Sequence, residues 1–253
     1  MAIVGAGARP RMEGSRANFI FCRKEGVMTK VFLQSSFSQF ARSMHDEWSP
    51  GVVAGRGSIS PKVATVRFSR NTDIYREGDP AAQLYKVVSG AVRTCKFLAN
   101  GRRQIGAFYL PGEIFGLETE ERHLFSAEAV TDSEVLIIEP PIVPFGRWDF
   151  EVACQVWALM RHELKRAQDR VLLLGRTAQE RVAGFLLAMA ERMQSSDQVE
   201  LPMSRQDIAD YLGLTLETVS RMLTQLESES TIAVLESKRI VLCRRASLRR
   251  LAA

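Results

Sequence analysis

The chain has 253 residues, of which 46% are hydrophobic and 25% charged, enough for one large domain or two small ones of ordinary globular composition. No apolar run approaches the roughly 18 residues of a membrane span, and the opening MAIVGAGARPRMEG lacks the hydrophobic stretch of a secretory signal, so a cytoplasmic location with no membrane partner is expected. A net charge of +5 suits a polyanionic partner.

In chain order, residues 1–48 are expected to form a flexible arm. It is rich in Gly, Ala and Arg early on, with a possible short helix over 32–48 that sets Phe37, Phe40, Ala41 and Met44 on one side. Segment 49–60 has three glycines and a proline and reads as a linker opening a second region, 49–148. Between 61 and 139 short strands alternate with turns. Strands are expected at 62–67, 73–76, 84–88, 91–98, 104–110, 127–130 and 134–138. The turns are Glu77-Gly78-Asp79-Pro80, Ser89-Gly90, Asn100-Gly101 (a type I′ hairpin signal) and Pro111-Gly112. So many short strands at close spacing imply a β-sandwich or barrel. The acidic run Glu118, Glu120 and Glu121 reads as a solvated loop.

Pro140, Pro141 and Pro144 end the strand region, and a heptad follows. Phe150, Ala153, Trp157, Met160, Leu164, Ala167, Val171 and Leu174 alternate spacings of three and four, the seam of a coiled coil, within a helix assigned to 149–175. At 1.5 Å per residue that helix is on the order of 35–40 Å long. The charged residues between, including Arg161, His162, Glu163, Lys165, Arg166, Asp169 and Arg170, suit solvent. The stripe serves either self-association or packing on the chain's own β-region.

The last region, 176–253, opens with an amphipathic helix over 177–193, with Val182, Phe185, Leu186 and Met189 inward. Stretch 203–226 reads MSRQDIADYLGLTLETVSRMLTQL. Two short helical patterns meet at Gly213. Ser204 stands at the N-cap of the first, with Asp207 as the acid of a capping box, and Thr215 can cap the second. Ile208, Ala209 and Leu212 share one face of the first helix. In the second, Val219, Met222, Leu223 and Leu226 point inward, while Glu217, Ser220, Arg221 and Thr224 fall outside. A carboxylate, a guanidinium and hydroxyls on a short helix are groups that read base edges in a major groove, so the pair describes a helix-turn-helix. Segments 231–235 and 239–242 flank a turn and read as a two-stranded wing. Lys238, Arg239, Arg244, Arg245, Arg249 and Arg250 stand against one acid, Glu236, in a basic tail that would sit near phosphates. The fold class is α+β.

The string 203–226 resembles the DNA-recognition motif of the CRP/FNR family. Its Glu217, Ser220 and Arg221 match the Glu-x-x-Ser-Arg form of the FNR and FixK branch, whereas the CRP branch has Arg and Gly where Leu216 and Ser220 stand. Segments 74–93 (IYREGDPAAQLYKVVSGAVR) and 112–116 (GEIFG) resemble the cyclic-nucleotide-binding β-roll of the same family. The resemblance implies a β-roll, a long dimerisation helix and a C-terminal winged helix-turn-helix. It implies a homodimeric regulator of transcription, an activator working with RNA polymerase on double-stranded DNA at a palindrome of TTGA-type half-sites, in low-oxygen or nitrogen-fixation control. Base reading is expected from Leu216, Glu217, Ser220 and Arg221, and backbone contact from Ser204, Arg205, Thr215, Thr218, Lys238 and Arg239.

In nucleotide-binding members a Gly-Glu pair holds the ribose, and an Arg followed by Ser/Thr-Ala holds the cyclic phosphate. Gly112-Glu113 and Ser126-Ala127 match, but Phe125 stands where the Arg belongs, and an aromatic ring cannot neutralise a phosphate. Arg122 is the nearby substitute to consider. FNR-type iron–sulfur sensing requires a clustered cysteine set, while Cys22, Cys95, Cys154 and Cys243 are scattered without C-x-x-C spacing. Haem would have to use His45, His123 or His162. The FixK group, which lacks both devices, implies that no cofactor is bound. The alternative is a regulator gated by a nucleotide, haem or redox signal, with Cys243 beside Arg244 and Arg245 as one thiol to consider. No metal-spaced cluster, nucleophile elbow, P-loop or paired carboxylates point to an enzyme.

Overall fold

The structure, a computed structural model, describes residues 19–24, 27–32, 62–118, 120–139, 150–173, 175–195 and 197–252. The chain divides into two units, Met1–Arg56 and Gly57–Ala253.

In the first unit, β1 (Phe19–Lys24) and β2 (Val27–Phe32) pair antiparallel, from Phe19 opposite Phe32 to Lys24 opposite Val27. The expectation of a flexible arm assigned no strands there. FIFCRK and VMTKVF are rich in aromatic and β-branched residues on either side of Glu25-Gly26, which is a hairpin signal. The helix expected after residue 32 and the linker 49–60 lie outside the described residues, as do Pro140, Pro141 and Pro144.

The second unit begins with two four-stranded antiparallel sheets. One has the order β3 (Lys62–Phe68), β10 (Ser133–Glu139), β5 (Leu84–Ser89), β8 (Ile114–Phe115). The other has β4 (Asp73–Tyr75), β9 (Ser126–Ala129), β6 (Val92–Phe97), β7 (Arg103–Tyr109). Val87, Val135 and Phe115 of the first sheet and Val92 and Ala127 of the second meet in one buried core, so the sheets pack face to face. Asn100-Gly101 does turn the chain, but not as type I′. Leu98 N–H donates to Arg102 O at 2.9 Å and Gly101 N–H to Leu98 O at 2.8 Å, and only Gly101 (φ 78°) is left-handed. Asn100 Oδ1 instead accepts from Arg102 N–H at 3.1 Å, a local bond that holds the tip in a longer connection.

The second sheet carries apolar side chains on both faces, and one irregularity decides which face Ile105 joins. The β6–β7 register slips between Thr94, opposite Ala107, and Cys95, opposite Ile105, leaving Gly106 as the extra residue of a bulge. Ala107 and Tyr109 then stay with the inter-sheet core, while Ile105 and Phe108 turn to the other side with Cys95. A Cβ at Gly106 would lie 2.9 Å from Thr94 Oγ1 and 3.2 Å from the Phe125 ring, so only glycine fits without displacement.

That second apolar face is covered by the C-terminal region. After α1 (Phe150–Leu173) come α2 (Ala178–Arg192), α3 (Arg205–Leu212), α4 (Leu216–Ser228) and α5 (Arg245–Leu251), with a small sheet of β11 (Gln198–Glu200), β13 (Arg239–Val241) and β12 (Ala233–Val234) in that order. Phe108 of the β-sheet lies 6.3 Å from Phe185 of α2 and 5.4 Å from Tyr211 of α3, ring centre to ring centre. Thr177 and Glu180 form a reciprocal capping box on α2. The wing strands fall where expected, joined by β11. The basic tail is not a tail, because α5 buries Leu248 completely among the helices.

Candidate nucleic-acid interface

Local chemistry sets the helix-turn-helix. Ser204 Oγ accepts from Asp207 N–H at 3.1 Å, and Asp207 Oδ2 accepts from Ser204 N–H at 3.0 Å, the capping box expected from the sequence. Gly213 closes α3 at φ 66°, ψ 35°, a left-handed C-cap that costs a side-chain-bearing residue about 1 kcal/mol or more. Thr215 Oγ1 then accepts from Thr218 N–H at 3.1 Å and starts α4. Val219, Met222, Leu223 and Leu226 are buried, fixing which face of α4 looks outward.

The outward face carries the expected groups. Glu217, Arg221 and Thr224 are exposed, Ser220 is half-buried, and Leu216 is 38% exposed at the first turn. The backbone N–H of Glu217 and the Thr215 hydroxyl hold the Glu217 carboxyl below its ordinary range, so it is an acceptor at neutral pH. Arg221, one turn later on the same face, has no hydrogen bond or ion pair to any described residue.

The expected backbone-contacting groups are less uniform. Ser204, Thr215 and Thr218 place their hydroxyls at helix starts, with the two threonine oxygens 3.0 Å apart. Arg205 is half-buried. Lys238 Nζ donates to Pro202 O at 2.9 Å, and Arg239 Nη1 lies 3.5 Å from Glu236, so both wing cations are engaged within the fold. Sequence reasoning expected the β6–β7 hairpin but not its place beside the reading helix, where its Arg102 and Arg103 form one wall of a cleft of roughly 690 Å³ facing Thr215, Leu216, Glu217 and Thr218.

The long helix presents the stripe outward. Trp157, Leu164 and Val171 are 61%, 59% and 67% exposed, and Met160 and Ala167 are exposed with them. Nothing is described for the side chains of Phe150 and Ala153 or for Leu174. Two of the charged residues assigned to solvent do the reverse. Arg166 lies 4.5 Å over the Tyr109 ring and 3.7 Å from Glu113, and Arg170 donates to Gly106 O while sitting 5.5 Å over Tyr211. Arginine can bury its stem and stack its flat guanidinium on aromatic faces, so a charged position need not be a wet one. Glu118 also departs from the solvated loop, being largely buried 3.4 Å from His123 Nδ1, while Glu120 and Glu121 are exposed.

The residues matching a nucleotide site have partners inside the chain. Glu113 accepts from Arg192 Nε at 3.0 Å and Nη2 at 2.6 Å, and from Leu110 N–H at 2.9 Å. Burial alone would raise its carboxyl, but Arg192 and Arg166 outweigh burial and hold it below the usual carboxylate range. Ser126 Oγ accepts from Glu77 N–H at 2.9 Å. Phe125 covers Gly106, and Arg122, the candidate substitute, is exposed and donates to Gly78 O at 2.6 Å. Among the described residues no group of three His, Cys, Asp or Glu side chains is placed to hold a metal, and no helix is long and apolar enough to cross a membrane.

Comparison with known proteins agrees with this geometry. Residues 180–251 match the Crp-like helix-turn-helix domain, and residues 65–142 match the cyclic nucleotide-binding domain. The chain is 52% identical over 192 residues to the nitrogen fixation regulation protein FixK of Azorhizobium caulinodans, covering 73% of this chain and 77% of that protein. It is 44% identical over 191 residues to the protein of the same name from Rhizobium meliloti, covering 75% and 86%. The solved structure of FixK2 from Bradyrhizobium japonicum superposes with a TM-score of 0.71 at 46% identity, covering 76% of this chain and 98% of that one. The chain belongs to the CRP/FNR family and is a DNA-binding transcription regulator of the FixK type, not an enzyme.

Proposed function

We propose that this regulator binds as a homodimer to a palindrome of TTGA-type half-sites and activates transcription through RNA polymerase, with no bound cofactor. The observation that carries the dimer is the outward stripe of Trp157, Met160, Leu164, Ala167 and Val171 on α1. An apolar seam that turns away from its own β-domain supports pairing with a second copy. Two reading helices on a twofold axis would meet half-sites about one helical turn apart.

In this reading the Arg221 guanidinium donates to a guanine, the ionised Glu217 accepts from a base amino group, and Leu216 and Ser220 contact neighbouring edges or a methyl. Ser204, Arg205, Thr215 and Thr218 hold phosphates, and Lys238 and Arg239 do so from the wing. The residues at the nucleotide-like site do not fit a cyclic nucleotide. Phe125 replaces the phosphate-binding arginine, and Glu113 already has two guanidiniums beside it. Control of nitrogen fixation, the role in the names of the relatives, is the physiological setting proposed for this chain.

Light scattering on the purified chain tests pairing, and fluorescence anisotropy on a TTGA-palindrome duplex against a scrambled one tests reading. A two-chain mass and a preference for the palindrome are expected without any added ligand. A single-chain mass, equal affinity for both duplexes, or a palindrome preference that appears only with cyclic AMP would refute the proposal.

A further inference from the structure

Helix α3 carries two acids that face the β-domain rather than the reading side. Asp207 Oδ1 lies 2.6 Å from Arg103 Nη2 and 3.2 Å from Arg93 Nη1. Asp210 Oδ2 lies 2.8 Å from Arg103 Nε, and Asp210 Oδ1 accepts from Gln206 Nε2 at 2.7 Å. Arg93 is anchored in turn on Glu128 Oε2 of β9, through Nε at 2.9 Å and Nη2 at 2.6 Å, and Cys95 Sγ donates to Glu128 Oε1 at 3.2 Å. Two guanidiniums from adjacent strands and three carboxylates, one on the sheet and two on α3, form one connected network.

Its burial and geometry make it selective for one arrangement. The side chains of Arg93 and Asp207 are 9% and 6% exposed, so salt screens their attraction far less than it screens a surface pair. Planar guanidiniums set angle as well as distance. Burial would raise the Asp207 carboxyl, but Ser204 and the two arginines hold it below its ordinary range. Among the described residues of the C-terminal region, the network's ion pairs fall on α3, and α3 is tied to α4 through the Gly213 turn and a shared apolar core. The angle of α3 against the sheet therefore sets the angle of α4.

We infer that Arg93 and Arg103 are positioning residues for DNA reading: through Asp207 and Asp210 they set the angle at which α4 is presented, so that specific recognition depends on β-domain side chains that touch no base. This rests on the base-reading role proposed for α4. In a dimer joined by α1 the two reading helices have to enter successive major grooves together, and a tilt of either one loses base contacts before it loses phosphate contacts.

The test uses the full chain and anisotropy on a palindrome duplex and a scrambled duplex. Arg103→Glu places a third carboxylate against Asp207 and Asp210. Its palindrome affinity is expected to fall by about tenfold or more, while scrambled-duplex affinity changes by less than about threefold. Adding Asp210→Arg should recover most of the loss. A merely structural defect would weaken both duplexes together and would not be rescued by the swap. Should Arg103→Glu fail to melt cooperatively, Arg103→Gln carries the test, with a palindrome-only loss of about threefold or more expected. Undiminished palindrome affinity in the folded variant, parallel loss on both duplexes, or a double variant no better than the single one overturns the inference. A wild-type chain without palindrome preference refutes the base-reading role itself, and that result is seen before any variant is made.

Discussion

Replacing Glu113 by Gln separates an internal clamp from an empty ligand site. The Glu113 side chain is 15% exposed and is flanked by Arg192 at 2.6 Å and Arg166 at 3.7 Å, themselves 24% and 16% exposed. Removing one partner of a buried ion pair costs about 3–5 kcal/mol, because the remaining charge stays desolvated. Arg192 keeps some water, and the carbonyl of the introduced amide would still accept one hydrogen bond, so about 2–3 kcal/mol is the reasoned figure. For a unit of this size that corresponds to a drop in Tm of about 5–10 °C. Thermal melting by circular dichroism, with cyclic AMP present and absent, reads it directly. A carboxylate kept for a ribose would give the opposite pattern: little or no drop on mutation, and a wild-type Tm that rises with nucleotide. Either result would refute the clamp.

Arg221→Ala should cost about 1–3 kcal/mol in palindrome binding and relax discrimination at one base position, as measured by competition among single-base variants of the duplex. Leu164→Arg, on the outward stripe, removes two leucines from the proposed seam, worth about 3–6 kcal/mol together, and should raise the dimer dissociation constant more than about 100-fold in analytical ultracentrifugation. Glu113 and Asp207 both have carboxyls lowered in the folded state. Their stabilisation is therefore complete above the unfolded values near 4 and is lost as pH falls through the lower folded values. Urea titrations at stepwise lower pH should show wild-type stability falling in that window, with a shallower fall in Glu113→Gln.

Much of the DNA-facing region was legible because its signals are local. Ser204, Asp207, Gly213 and Thr215 each act within four residues of their own position, and the two faces of α4 follow from helical spacing alone. The stripe on α1 was legible for the same reason, and so was the departure at Phe125. What was hidden depends on partners distant in sequence. Arg166 and Arg170 look like solvated charges until Tyr109 and Tyr211 are placed beneath them. Asp207 looks like a capping residue and nothing more until the fold brings Arg93, 114 positions away, to its other oxygen. Strands β8 and β11 are too short, at two and three residues, to show any alternation. The bulge at Gly106 inverts the facing of half a strand without leaving any mark that periodicity could register.

The single Asp207 carboxylate belongs to two structures at once. One oxygen closes the first turn of α3, and the other is held by the β-sheet. Pulling the sheet away would therefore also loosen the start of the helix, so separation of the domains and unwinding of that turn are expected to occur as one step. A regulator wired in this manner has few half-measures available: its reading head is either seated and ordered, or released and partly melted.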